Sequence, residues 1–438
     1  MRINQYCNFA ARILTLSYTH WKMDVNNKIN ATIITIGDEL LIGQTIDTNS
    51  AWIASQLNKI GITILRRVAV GDEWNAIWTA LEEEGKQADI ILITGGLGPT
   101  SDDITKPLLC KFFGGKLVKD QGALDNVIEI FTKKLNRPLL ERNLKQAEVP
   151  DNCIVIQNKR GTAPGMLFEK NNVIYVSMPG VPHEMKGMME DNVIPHLLKK
   201  YSISPVQHRT LLTAGIGESF LAEKLVKFES ELPEHIKLAY LPNYGMVRLR
   251  LSDLDANSKP QIIEEWFEKL KSDVEEFMVV DEDLSLQQVI ARKLLASNQT
   301  LSIAESCTGG YISHLITQMA GSSQFFLGSV VSYANEMKKD ALNVPKEVIQ
   351  QHGVVSKETV EKMAEGVRKL SKADFGLATS GIMGPGGGTD QKPVGFVCVG
   401  LSTKEKTIST TFQFRFDRKR NIELTAINAL DYLRKNMG

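Results

Sequence analysis

From Ile29 onward the chain repeats one pattern, a short apolar run followed by a longer stretch in which apolar and polar positions mix at helical spacing. NATIITIG, NSAWIASQLNKIG, ITILRRVAVG, NAIWTALEEEGKQ and ADIILITGG follow one another in this way. Strands alternating with helices of these lengths predict a parallel sheet covered by helices. Ligands of such sheets bind beyond the carboxyl ends of the strands. GDELLIGQ, after the first strand, and GGLGPTSDD, after the third, stand in that place.

After MPGVPHEMKGMMEDNVIPHLLKK the register changes. A strand (QHRTLLTAG), a short helix, a strand pair around AYLPNYGMVRLRLS and a charged helix, QIIEEWFEKLKSDVEEF, predict a small α+β module. VVDEDLSLQQ then leads into a third unit, which begins with the helix LQQVIARKLLASN, passes through a strand into SCTGG and ends in the helix NIELTAINALDYLRK. The expected organisation is a leader over 1–28, a doubly wound α/β domain over 29–200, a small α+β domain over 201–284 and an α/β domain over 285–438.

Length and charge narrow the function. The 438 residues leave room for three domains, each with its own core. Lys+Arg and Asp+Glu number 51 each, a balance that argues against a nucleic-acid or membrane-surface partner. No apolar run reaches the roughly 18 residues of a membrane span, so a cytoplasmic location is expected. Cys7, Cys110, Cys153, Cys307 and Cys398 lie far apart without CxxC spacing, so neither a disulfide framework nor a structural zinc is expected. The first 22 residues carry arginines and no acids, as organelle-targeting peptides do, yet Met23 precedes the first strand closely; the leader is expected to add no folded structure.

Two stretches carry chemistry. In TGGLGPTSDDITK, Gly95, Gly96 and Gly98 uncover backbone N–H groups that suit a phosphate, while Asp102 and Asp103 suit a divalent cation bridging to it. Asp38 and Glu39 come from a neighbouring strand end. The same turn also reads as a tight strand-to-helix connection whose Thr100, Ser101 or Asp102 caps the next helix.

The second stretch is AESCTGGY, residues 304–311. A side chain in the first turn of a helix lies beside unpaired N–H groups able to stabilise an oxyanion. Successive helical residues point about 100° apart, so only one of Ser306 and Cys307 faces a substrate there. A serine needs a base. His314 lies eight residues on, about 12 Å along a helix axis, and His352 falls in an expected loop. Lys338, in GSVVSYANEMKKD, is a base of another kind, since burial disfavours its charged form. Tyr333 is placed to relay or orient its proton, and both residues also read as an ordinary surface lysine beside a packed aromatic.

GDELLIGQTIDTNSAWIA, TGGLGPTSDDIT, GTAPG and MPGVPHEM together resemble the N-terminal domain of the CinA family, whose fold is that of molybdopterin-binding proteins. SCTGG, YANEMK, HGVVS, GIMGPGGGTDQKPVG and FDRKRNIE resemble its C-terminal domain, found alone as the PncC-type nicotinamide mononucleotide deamidase. The resemblance implies hydrolysis of the nicotinamide mononucleotide carboxamide without a cofactor, with Ser306 as nucleophile, Lys338 as general base and Tyr333 as helper. Thr308, Gly309, Gly310, Ser380, Gly384, Gly386, Gly387 and Arg418 become substrate-binding candidates. For the N-terminal domain it implies an ADP-ribose pyrophosphatase with a divalent metal ion at Asp38, Glu39, Asp102 and Asp103. A phosphate site there draws on Gly95, Gly96, Gly98, Thr100 and Asn49, with Glu184 at a matching position.

Small-molecule nucleotide substrates and a homodimer are the expected partners, with no nucleic acid and no membrane. A non-catalytic pterin- or nucleotide-binding protein, or a competence-related regulator, is the alternative. Two departures stand out. The family commonly has Thr-Gly-Ile-Ala-Gly-Pro where this chain reads SGIMGP: Ser380 replaces the threonine and keeps its hydroxyl, and Met383 replaces the alanine and is expected to crowd or reshape the pocket.

Overall fold

The computed structural model describes residues 29–100, 103–134, 136–201, 206–255 and 258–437. The leader, Ser101 and Asp102 lie outside the described residues. The chain divides into two compact units, one ending at Val206 and one beginning at Gln207.

In the first unit, β1 (Asn30–Ile36), α1 (Thr48–Lys59), β2 (Thr63–Val70), α2 (Trp74–Glu84), β3 (Ile90–Thr94) and α3 (Thr105–Phe113) alternate as the pattern predicts. β4 (Leu117–Lys119), α4 (Gln121–Glu129) and β5 (Glu148–Pro150) form an excursion, and β6 (Ile154–Ile156), β7 (Gly165–Lys170), β8 (Val173–Met178) and α5 (Pro182–Met188) complete the unit. The main sheet runs β2-β1-β3-β8-β7-β6, parallel through β8 and antiparallel beyond it. β1, β3 and β8 are almost wholly buried because helices cover both faces, which is why they read as unbroken apolar runs.

The second unit opens with β9 (Gln207–Ala214), α6 (Glu218–Glu231), β10 (Ile236–Asn243), β11 (Met246–Asp253), α7 (Pro260–Asp273) and β12 (Met278–Val280). Its antiparallel sheet has the order β10-β11-β9-β12, a split βαβ topology. The final strand, β12, was invisible in the pattern because three residues show no period.

α8 (Leu286–Ala296), β13 (Leu301–Glu305), α9 (Tyr311–Thr317), β14 (Phe326–Val331), α10 (Asn335–Asp340), α11 (Lys346–His352) and α12 (Lys357–Ser371) follow. β15 (Phe375–Gly381), β16 (Phe396–Ser402), β17 (Thr407–Gln413) and α13 (Arg418–Lys435) end the chain. The sheet order is β14-β13-β15-β16-β17, with the first three strands parallel. Leu212, Ala214 and Met246 of the small module belong to the same apolar cluster as Leu286, Ile290, Ile303, Leu430 and Leu433, so the module and the last domain share a core. No helix among the described residues is long and apolar enough to cross a membrane.

Candidate active site

β13 and β14 end side by side. Ser306 follows β13, its N–H donating to the Thr379 carbonyl of β15 at 3.0 Å. Ser332 follows β14, its N–H donating to the Glu305 carbonyl at 2.8 Å. The parallel ladder therefore runs one residue past each strand and sets Ser306 at its carboxyl edge, where such sheets bind ligands.

The turn after Ser306 differs from the expectation. Ser306 is not in the first turn of a helix. The Gly309 amide donates to the Ser306 carbonyl at 3.2 Å, that of Tyr311 donates to the Thr308 carbonyl at 3.0 Å, and α9 begins only at Tyr311. Gly310 stands at φ 97°, the left-handed region that favours glycine, and reverses the chain into the helix.

The amides of that helix are not free for a substrate. The carboxylate of Glu305, which is wholly buried, accepts from the N–H groups of Gly310, Ile312 and Ser313 at 3.0, 3.1 and 2.9 Å and from the Ser313 hydroxyl at 2.6 Å. Four donors suit a buried anion, and the helix N-terminus favours its charge. Sequence reasoning passed over Glu305. Its signal was an acid closing an otherwise apolar strand, two residues before a glycine-bearing turn.

What remains uncovered lies closer to the serine. Among the described residues, the amides of Cys307 and Thr308 have no acceptor from another residue, and the Ser306 hydroxyl makes no hydrogen bond. The N–H after a nucleophile is a common oxyanion donor. Cys307 itself is packed in the core, and burial pushes its thiol up to about 12, far from a reactive thiolate. Thr308 is buried, its hydroxyl paired with that of Thr379 at 2.9 Å.

Lys338 is 2% exposed although it lies on a short helix near the surface. Its Nζ donates to the carbonyls of Ser332 at 2.7 Å and Tyr333 at 3.2 Å, which places it at the end of the strand beside Ser306. Burial holds its pKa below the ordinary lysine value, opposed by the nearby Cys307 and Glu336. No hydrogen bond joins Lys338 to Ser306.

Tyr333 occupies a different position from the one expected of a proton helper. It is 60% exposed, and its phenol oxygen accepts from Arg418 at 2.8 Å. Arg418, at the start of α13, also donates to the Gly384 carbonyl at 2.8 Å, so it ties Tyr333 to the loop after β15. Gly384 and Gly387 shape that loop, and Gly386 faces open space. Ser380 is buried and donates to the Val354 carbonyl at 2.8 Å, a structural tie that joins SGIMGP to HGVVS. The expected crowding by Met383 is not found. Its side chain lies in the core against Thr425, so the larger residue is absorbed behind the site. His352 ends α11 instead of lying in a loop, with Glu358 at 3.6 Å.

The N-terminal turn is closed by its own chain. The Asp103 carboxylate accepts from the amides of Gly98 at 2.7 Å and Thr100 at 2.9 Å, and from the Thr100 hydroxyl. Two of the donors expected to hold a phosphate, the Gly98 and Thr100 amides, are thus engaged, and α3 begins after Ile104 with no side-chain cap. Gly95 and Gly96 serve close packing, because a Cβ there would lie 2.2 Å from the Ile36 carbonyl oxygen and 2.0 Å from Thr105 Oγ1. Asn49 is buried, its amide bridging Thr94 Oγ1 at 3.1 Å and the Gly180 carbonyl at 2.7 Å. Glu184 accepts from Asn158 at 2.7 Å beside GTAPG, and burial raises its pKa against that hydrogen bond and His183.

Asp38 and Glu39 form an exposed helical turn, and Asp38 exchanges backbone-to-carboxylate bonds with Asp72 at 3.1 and 3.2 Å. Among the described residues no three His, Cys, Asp or Glu side chains gather in a way that holds a metal ion. Asp102, the fourth acid of the expected metal site, lies outside the described residues.

A molybdopterin-type α/β unit joined to a second unit that carries a serine at one strand end and a buried lysine whose amine reaches the end of the next strand defines the class. Residues 32–199 match the family described as a probable molybdopterin binding domain, 208–278 the damage-inducible protein CinA KH domain, and 283–437 the CinA C-terminal domain. A CinA-like protein of Cytophaga hutchinsonii is 41% identical over 94% of this chain and 99% of its own length. One of Flavobacterium psychrophilum is 42% identical over 93% and 99%. A competence damage-inducible protein A of Klebsiella pneumoniae, known as a crystal structure, is 32% identical over 34% of this chain and 94% of that one, with a TM-score of 0.34. The chain belongs to the CinA family.

Proposed function

We propose that the chain hydrolyses the carboxamide of nicotinamide mononucleotide, giving nicotinic acid mononucleotide and ammonia. The observation that carries this reading is an unbonded serine hydroxyl at a strand end, flanked by two unclaimed amides, with a buried lysine at the end of the neighbouring strand. Ser306 attacks the carboxamide carbon, and the amides of Cys307 and Thr308 receive the oxyanion. Lys338, whose charged form burial disfavours, takes the serine proton when its amine is neutral and returns it to the departing ammonia. Water then opens the acyl-enzyme. Arg418 stands exposed beside the Gly384 loop, where its guanidinium offers charge to the nucleotide phosphate.

The test is ammonia release from nicotinamide mononucleotide in EDTA. The native protein and Cys307→Ala are expected to release ammonia, and Ser306→Ala is expected to lose about 1,000-fold or more in rate. Release that stays intact in Ser306→Ala, or none from the native protein, overturns the reading. The latter would favour a regulatory role, such as the names of competence-damage inducible relatives suggest.

A further inference from the structure

The hydroxyl of Ser332 is fully buried and has no hydrogen-bond partner. A buried hydroxyl left unpaired is unfavourable for folding. Its backbone links the two reactive residues. The N–H is bonded to Glu305, the residue before Ser306, and the carbonyl accepts from Lys338 Nζ.

Strand residues two apart share a face. Ala304, Val330 and Ala378 meet Leu342, Val344 and Val360 on one side of the sheet. Two positions further along β13, β14 and β15 come Ser306, Ser332 and Ser380, aligned by the register of the three strands. Extended by one residue, the register sets the three serines side by side at the carboxyl edge, on strands about 4.8 Å apart. Ser380 is committed to Val354, whereas Ser306 and Ser332 are free. Glu305 points to the opposite face, where α9 lies.

We propose that Ser332 relays the proton between Ser306 Oγ and Lys338 Nζ, an inference that rests on the amidase reading above. Lys338 makes no direct bond to Ser306, and Tyr333, the other candidate relay, is held by Arg418. The relay requires a staggered position of the Ser332 hydroxyl that lies between the two groups. In acylation the Ser306 proton passes to Ser332 Oγ while the Ser332 proton passes to the neutral amine of Lys338. Ser306 Oγ bonds to the carboxamide carbon, the C–N bond then breaks, and ammonia leaves with the proton that Lys338 returns through Ser332. In deacylation a water gives its proton along the same path, its oxygen bonds to the acyl carbon, and Ser306 departs reprotonated.

The experiment compares full-length native protein with Ser332→Ala and Ser332→Thr in three readouts. These are steady-state ammonia release from nicotinamide mononucleotide, the rate at which a fluorophosphonate labels Ser306, and the urea midpoint. In Ser332→Ala, kcat and the labelling rate are expected to fall about 100-fold while KM stays within about two-fold. The urea midpoint is expected to stay or rise, since an unpaired polar group is removed. Ser332→Thr keeps the hydroxyl and is expected to recover most of the loss. Native rates in Ser332→Ala overturn the relay, as does an equal loss in both variants with a lowered midpoint. Slowed labelling in a protein that releases no ammonia supports the relay and rejects only the substrate. No labelling of the native protein overturns both.

Discussion

Two strand-end turns in this molecule each hold a carboxylate against backbone amides, and they do opposite things. In the first unit Asp103 bonds to Gly98 and Thr100 within its own turn, filling the donors an anion would use. In the second, Glu305 reaches past its turn to the amides of Gly310, Ile312 and Ser313, leaving those of Cys307 and Thr308 free beside Ser306. A glycine-rich turn is therefore not a ligand cradle by composition. Where the nearest acid sends its oxygens decides whether the turn is closed or receptive.

The comparison can be broken first at the base. If the open turn works with Lys338, kcat/KM should climb as pH rises through the lowered pKa of that residue and level off above it, since only the neutral amine accepts a proton. Lys338→Met should flatten the profile and cost about 100-fold or more in rate. Stability carries the same signature. Between the lowered folded pKa and the ordinary lysine range, the unfolded chain holds a proton that the folded one has lost, so stability should rise with pH there. Lys338→Met should remove that slope, read as urea midpoints across a pH series; a slope that persists would show another group titrating.

A smaller effect separates the two carboxylates. Glu305→Gln leaves buried donors facing an amide and is expected to cost about 2–4 kcal/mol in urea unfolding. Asp103→Asn, in an exposed turn, is expected to cost about 1 kcal/mol or less. Equal costs would dissolve the contrast. The smallest effect is the most specific. Asp103→Ala uncovers the Gly98 and Thr100 amides, so titration calorimetry with inorganic pyrophosphate should show weak binding that the native protein lacks; no gain would mean that the turn is not an anion nest even when opened.

Much of this was legible beforehand. The alternation of apolar runs and amphipathic stretches placed β1, β3 and β13 with their turns at the carboxyl edge, because parallel strands buried on both faces admit almost nothing polar. Ser306, Lys338 and Arg418 were visible as residue types in motifs. Their partners were not. Glu305 beside a serine reads as a surface acid until the fold buries it, and Tyr333 meets Arg418 across 85 positions of sequence. Met383 was misjudged because residue size alone does not show which way a side chain points, and here it falls into the core.

The core shared by the split βαβ module and the last domain bears on how the chain can be divided. Leu212, Ala214 and Met246 fill the cluster built by α8 and α13. Cutting at residue 284 would strip that cover and leave a wet apolar face. An independently expressed C-terminal fragment would therefore need a resurfaced α8 and α13 to stay dispersed, whereas a cut near Val206 would spare that cluster.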